Sequence, residues 1–276
     1  MRDFEEIKDS VICKVVNTEY NQDILKDRPH IDMEDMSATF AILISEGADG
    51  RASIPISNDM MQEFGVDVNT LMETSKANME EQDFSFKSMR DVLVGTMFPD
   101  GVPENDPMLD MMLPPDDFPM YVLTNSTGIS GASEIFNENA MNEISEKFGG
   151  DFIVIPSSIH ETLVLPLDGD KDSVELNGII QDINSGVLDP KDKLSDYAFQ
   201  YDSEEHELVR MDKMQERQQE KAENKEKAVS KVASKEEKPK KSLMDRISDK
   251  KVEAAKKEAT RPQHSKQNKR DAVALT

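Results

Sequence analysis

The chain has 276 residues, 37 % of them hydrophobic, with 56 acidic against 33 basic side chains and no tryptophan. Residues 1–202 hold 13 Lys/Arg and 41 Asp/Glu, a net of −28, whereas 203–276 hold 20 and 15, a net of +5; every aromatic residue lies at or before Tyr201. A packed interior is therefore confined to the first three quarters, the acidic surface there opposes nucleic acid and anionic lipid, and the single Cys13 excludes an intrachain disulfide framework.

From Phe4 to about Pro29 the sequence reads as helix with a short extended piece around Cys13–Val16, and Thr18 is placed to cap a helix running through Ile24. A hairpin follows: Ala38, Phe40, Ile42 and Ile44 alternate along one strand and Ala52, Ile54 and Ile56 along the other, with Asp49-Gly50 in the turn. Two short helices are expected next, Asn58 to Phe64 and one capped by Asn69 that runs to about Gln82. Residues 96–118 combine prolines, acids and the cluster Met108, Met111 and Met112, which reads as a long loop or linker whose apolar patch packs within the chain.

Met120–Asn125 reads as a strand. Phe136, Ala140, Ile144 and Phe148 then recur every fourth residue, the stripe of an amphipathic helix ended by Gly149-Gly150. Phe152–Ile155 and Thr162–Leu165 are strands around a turn. Leu176, Ile179, Ile180 and Ile183 form a second stripe, and Tyr197–Tyr201 with Glu205–Val209 a closing hairpin. The expectation is α+β: a mixed or antiparallel sheet packed with helices, in one body or two small lobes (1–95 and 119–211, joined by 96–118). Residues 212–276 are expected to be a disordered charged tail. A short amphipathic helix near 242–259 presents Leu243, Met244 and Ile247 amid lysines, either to fold on a partner or to fray in solvent.

Three motifs invite chemistry. Gly128-Ile-Ser-Gly131 sits between a strand and a helix, where backbone amides could cradle phosphate. It lacks the Gly-Lys-Ser/Thr ending of a phosphate loop, and no Lys or Arg occurs between Asp91 and Glu146 to offset the charge. Ser157-Ser-Ile-His-Glu161 offers Ser158 and His160 as nucleophile and base, with Asn125 and Ser126 nearby if the strand ends meet. The competing reading is a tight turn whose hydroxyls cap backbone amides. Asp168-Gly-Asp-Lys-Asp172 begins like a calcium loop but has Ser173 and Ile179 where glycine and glutamate belong. Histidine and cysteine are too sparse for a zinc site, so neither metal nor cofactor is expected, and Cys13 reads as a core residue.

Asn17-Thr-Glu, Asp27-Arg-Pro-His30, Ser88-Met-Arg-Asp-Val-Leu93, Pro119-Met-Tyr-Val-Leu-Thr-Asn125, Ile155-Pro-Ser-Ser-Ile-His-Glu161, Leu194-Ser-Asp196 and Tyr201-Asp202 together resemble an uncharacterised bacterial family, domain of unknown function 5688. The likeness covers roughly residues 1–211. Such proteins are found mainly in gut Firmicutes, often near mobile-element genes, and commonly carry a further segment ahead of the stretch that begins here near Phe4. The resemblance implies an intracellular module and brings no catalytic residues with it. The expected function is a non-enzymatic cytoplasmic interaction protein that docks an unidentified protein through its tail; the alternative is a small hydrolase using Ser158 and His160.

Overall fold

The computed structural model describes residues 3–47, 50–99, 113, 115, 119–167, 176–178, 180–181, 191–214 and 217. All of these lie in one compact unit, Met1–Arg217. The elements are α1 (Phe4–Ile7), a 3-10 turn at Lys8–Ser10, β1 (Val11–Asn17), α2 (Gln22–Leu25), β2 (His30–Met33), β3 (Met36–Gly47), β4 (Gly50–Pro55), α3 (Asn58–Phe64), α4 (Val68–Glu80), β5 (Phe84–Ser88) and α5 (Met89–Met97). After these come β6 (Tyr121–Asn125), a 3-10 segment Gly131–Phe136, α6 (Glu138–Phe148), β7 (Phe152–Ile155), β8 (Thr162–Pro166), β9 (Phe199–Asp202) and β10 (Glu207–Arg210). The fold is α+β, and every strand pair among the described residues is antiparallel.

The first sheet is organised on β3. Its first half lies between β1 and β2, and its second half pairs with β4 to give the expected hairpin. Gly47 pairs with Gly50, whose φ of +133° suits a residue without Cβ. Over this sheet, α4 lays Leu71, Ser75 and Met79, a stripe at every fourth residue, against the face that carries Val11, Cys13, Ala38 and Phe40. The second sheet runs β10-β9-β7-β8-β6-β5. Along β7, Phe152 and Val154 join Leu123, Val164, Ala140, Met141 and Ile144 in the main core. Ile153 and Ile155 point the other way, to Leu165, Ile180 and Ala198. Both faces of this central strand are covered, so all four of its residues are buried.

Four expectations need correction. The region Phe4–Pro29 is not mainly helical: β-branched Val11, Ile12, Val15 and Val16 belong to a seven-residue strand that finds its partner in Met36–Ile42. Thr18 caps nothing; its hydroxyl bonds the Ser37 hydroxyl at 2.8 Å, and Asn21 occupies the N-cap of α2. Asp67, not Asn69, caps α4, accepting from the Thr70 amide at 2.8 Å. Residues 84–97, for which no element was expected, form β5 and α5. Ser88 starts that helix, accepting from the Asp91 amide at 3.0 Å while donating to the Asp91 carboxylate at 2.7 Å.

Of the second stripe, residues 176–178 and 180–181 are helical, and Ile180 is buried. The methionine cluster at 108–112, the calcium-like stretch through Ser173 and the tail with Leu243, Met244 and Ile247 lie outside the described residues.

Candidate functional site

Pairing of β6 with β8 brings together the loop after Asn125 and the loop before Thr162. The Asn125 Oδ1 accepts from the amides of Thr127 (3.2 Å) and Ile129 (3.3 Å), and its Nδ2 donates to the Ile129 carbonyl at 2.9 Å. The Gly128 amide bonds the Asn125 carbonyl at 3.3 Å. The Ser130 amide donates to Nδ1 of His160 at 3.2 Å. The Gly131 and Ala132 amides reach the carbonyls of His160 (3.0 Å) and Ile159 (3.2 Å). Every amide from Thr127 to Ala132 thus has an acceptor inside the protein. A phosphate cradle needs such amides free to point at the anion, and here they are occupied.

The two motifs also fit sterically. A Cβ on Gly131 would stand 2.1 Å from the Thr124 hydroxyl, 2.6 Å from the Asn125 amide nitrogen and 2.7 Å from the His160 carbonyl oxygen. Glycine is required there by close approach, not by a left-handed φ. Thr124 strengthens the junction by donating to that same carbonyl at 2.7 Å.

Ser158 and His160 are neighbours, each engaged with backbone. The Ser158 hydroxyl accepts from the His160 amide at 3.1 Å, the bond of a serine turn, and Ser158 is buried. Because the Ser130 amide donates to Nδ1, the neutral His160 ring carries its proton on Nε2, which faces the Asp192 carboxylate at 3.9 Å. The Ile159 amide bonds the Asp192 carbonyl at 2.9 Å and Ser158 bridges to Lys193, so a further chain segment closes over the turn.

Sequence reasoning overlooked a cation at this loop. Arg51 reaches in from β4: its guanidinium lies 3.5 Å from the Ile129 carbonyl and 3.3 Å from the Glu46 carboxylate. The local argument that no cation is available is therefore corrected, since β4 is remote in sequence. The guanidinium already faces the Glu46 carboxylate, and Glu134 lies within its electrostatic reach. Glu134 is buried in the 3-10 segment and accepts from the Asn137 side-chain amide at 2.8 Å. Burial pushes it up to about 7, against the smaller lowering effects of the Asn137 bond and Arg51. Its only signal in the sequence is an acid inside the otherwise small and apolar run Gly131-Ala-Ser-Glu-Ile-Phe136.

Cys13 is a core residue with its thiol pushed up to about 12 by burial, the reverse of what a nucleophile needs. Among the described residues no three His, Cys, Asp or Glu side chains cluster to hold a metal, and no helix is long and apolar enough to cross a membrane.

A cleft of about 360 Å³ is walled by β2, α4, the 3-10 segment, the start of α6 and the β9–β10 hairpin; its lining includes Met33, Met72, Met141, Phe136 and Leu208. At one side the Tyr201 hydroxyl bonds Nδ1 of His206 at 3.0 Å. His206 adopts a positive φ of 55° at the hairpin turn. The hairpin was legible from sequence, whereas the cleft was not, because its methionines come from three distant elements.

A family of unknown function, DUF5688, matches residues 1–203. No curated protein matches the chain, and no solved structure does.

Proposed function

We propose that this chain, which belongs to the DUF5688 family of unknown function over residues 1–203, is a non-enzymatic interaction protein, an accessory to mobile elements. It acts in the cytoplasm and docks a protein partner through Leu243, Met244 and Ile247 of its tail. The observation that carries the reading is the filled junction at Asn125, Ser158 and His160. Their polar groups hold backbone in place, and the Thr127–Ala132 amides are taken. Reaction chemistry needs a nucleophile whose base points at it and a place for the reacting atom. A turn of this kind offers neither.

The acidic body opposes nucleic acid. The test is co-purification with the full chain and with a deletion of residues 240–260. Loss of the bound partner on deletion supports the reading, and unchanged recovery counts against it.

A second reading, a small hydrolase using Ser158 and His160, is favoured by the Nε2 of His160 facing Asp192 at 3.9 Å. An active-site serine probe that labels the natural chain but not Ser158→Ala would establish it; absence of labelling would end it.

A further inference from the structure

The cleft against the β9–β10 hairpin combines an apolar wall with charges of both signs. Met33 on β2, Met72 on α4 and Met141 on α6 stand beside Phe136 and Leu208, and thioether side chains adjust to contacts of differing shape. Four charged side chains share the lining, Lys76 and Arg217 against Glu138 and Glu207, so their charges cancel. The four are not equivalent. Arg217 pairs with Glu207, and each neutralises the other. Lys76 on α4 and Glu138 at the start of α6 have no ion-pair partner among the described residues.

One cation and one anion are thus available beside an apolar wall, and together they select a ligand class. A carboxylate alone is attracted by Lys76 but repelled by Glu138 and by a body whose residues 1–202 sum to −28. A cation alone meets Lys76. An uncharged apolar molecule strips water from both charged groups and gives neither a partner. A molecule that carries both charges on an apolar body answers every group, and its net charge of zero is indifferent to the acidic surface. The Tyr201 hydroxyl bonds Nδ1 of His206 at 3.0 Å, which leaves Nε2 of His206 for a polar atom of the ligand. A volume of about 360 Å³ lies at the small end of the roughly 300–1,000 Å³ usual for ligand clefts. We infer that the cleft binds a small zwitterion with a large apolar side chain, a free amino acid or a short peptide of such residues. Lys76 takes the carboxylate, Glu138 takes the ammonium, and the side chain enters among the methionines.

Isothermal titration calorimetry on the full chain tests this with L-leucine and L-leucyl-L-leucine as probes. Isocaproate is leucine without its ammonium, isoamylamine is leucine without its carboxylate, and glycine lacks the side chain; these are the controls. At least one of the two zwitterions binds, and each control binds at least roughly tenfold more weakly. Binding of leucine alone assigns the site to free amino acids, and binding of the dipeptide alone assigns it to short peptides. Lys76→Gln and, independently, Glu138→Gln each weaken the zwitterion roughly tenfold while the circular dichroism spectrum is retained. The two variants also shift selectivity in opposite senses. Glu138→Gln narrows the gap between the zwitterion and isocaproate, whereas Lys76→Gln narrows the gap to isoamylamine. Damage to the fold would instead weaken every ligand together.

Failure of both zwitterions to bind at millimolar concentration would overturn the inference. So would a control that binds as tightly as the zwitterion, or affinity and selectivity unchanged in both variants. The cleft and the tail fail separately. Loss of the partner on deleting 240–260 with no zwitterion bound leaves the tail reading intact and removes the cleft; zwitterion binding that survives that deletion, with partner recovery unchanged, does the reverse.

Discussion

Glu134 is the most exacting probe of how this body is held together. It is 5 % exposed, bonded to Asn137 at 2.8 Å, and raised by burial from the usual 4.5 to about 7. Its proton is retained in the folded state over a range in which the unfolded chain has released it. The stability this contributes is fully present below about 4.5, declines as pH rises, and is lost once pH passes about 7. That interval is worth roughly 3 kcal/mol, a large share of the 5–15 kcal/mol typical of a domain.

Glu134→Gln keeps a carbonyl to accept from Asn137 and removes the ionisation. The stability difference between variant and natural chain should therefore swing by roughly 3 kcal/mol in favour of glutamine between pH 4.5 and pH 8. The attraction to Arg51, lost in the variant, is already contained in that figure. Urea denaturation followed by far-ultraviolet circular dichroism suits a chain without tryptophan. A difference measurement is needed because burial raises Asp35 as well, so the natural chain has other contributions of the same sign. If the gap between the two proteins is the same at pH 5 and pH 8, Glu134 is not held neutral by burial and the reasoning fails.

Three further outcomes are expected. Gly131→Ala forces a methyl to within 2.1 Å of the Thr124 hydroxyl and 2.7 Å of the His160 carbonyl; it should cost about 3 kcal/mol or more in denaturant, and a loss under 0.5 kcal/mol would contradict the packing described. Asn125→Ala removes the acceptor of the Thr127 and Ile129 amides, so about 2 kcal/mol should be lost and these two amides should exchange hydrogen faster than the natural loop. Cys13 should resist a thiol reagent at pH 8 in the native protein and react at once in urea; rapid native labelling would show that β1 opens.

The elements that sequence made legible are those whose pattern is local. Phe136, Ala140, Ile144 and Phe148 mark the helix that spans Glu138–Phe148, and Gly149 ends it in a left-handed cap. Alternation marked β3 and β4, and the apolar runs marked β7 and β8. What escaped depends on partners far along the chain. Val11–Asn17 is a strand because Met36–Ile42 lies beside it, and β5 is one because Tyr121–Asn125 offers a free edge. At the site, the turn reading of Ser157–Glu161 needed only Ser158 and the amide two residues on. The reach of Arg51 to Ile129 crosses two elements and had no local trace.

The stretches that carry the family likeness touch one another, and what they form is a set of joints. The Asn17 side chain donates to the Leu194 carbonyl at 2.9 Å, and the Ser195 hydroxyl bonds Asp35 at 2.8 Å, tying the first sheet to the segment that leads into β9. That segment continues the lock through Asp192 and Lys193 onto Ile159 and Ser158, and the next turn passes it through the His160 carbonyl to Thr124 and Gly131. Buried polar side chains bonded to backbone specify one arrangement strongly, because breaking any one leaves an unpaired group in the interior. A network of this kind explains why serine, histidine and asparagine gather in one place. It also implies that Asn17→Ala, far from Ser158 in sequence, should loosen the Ser158–His160 turn. Faster hydrogen exchange of the Ile159 and His160 amides in that variant would show the coupling; protection equal to the natural chain would mean the joints act independently.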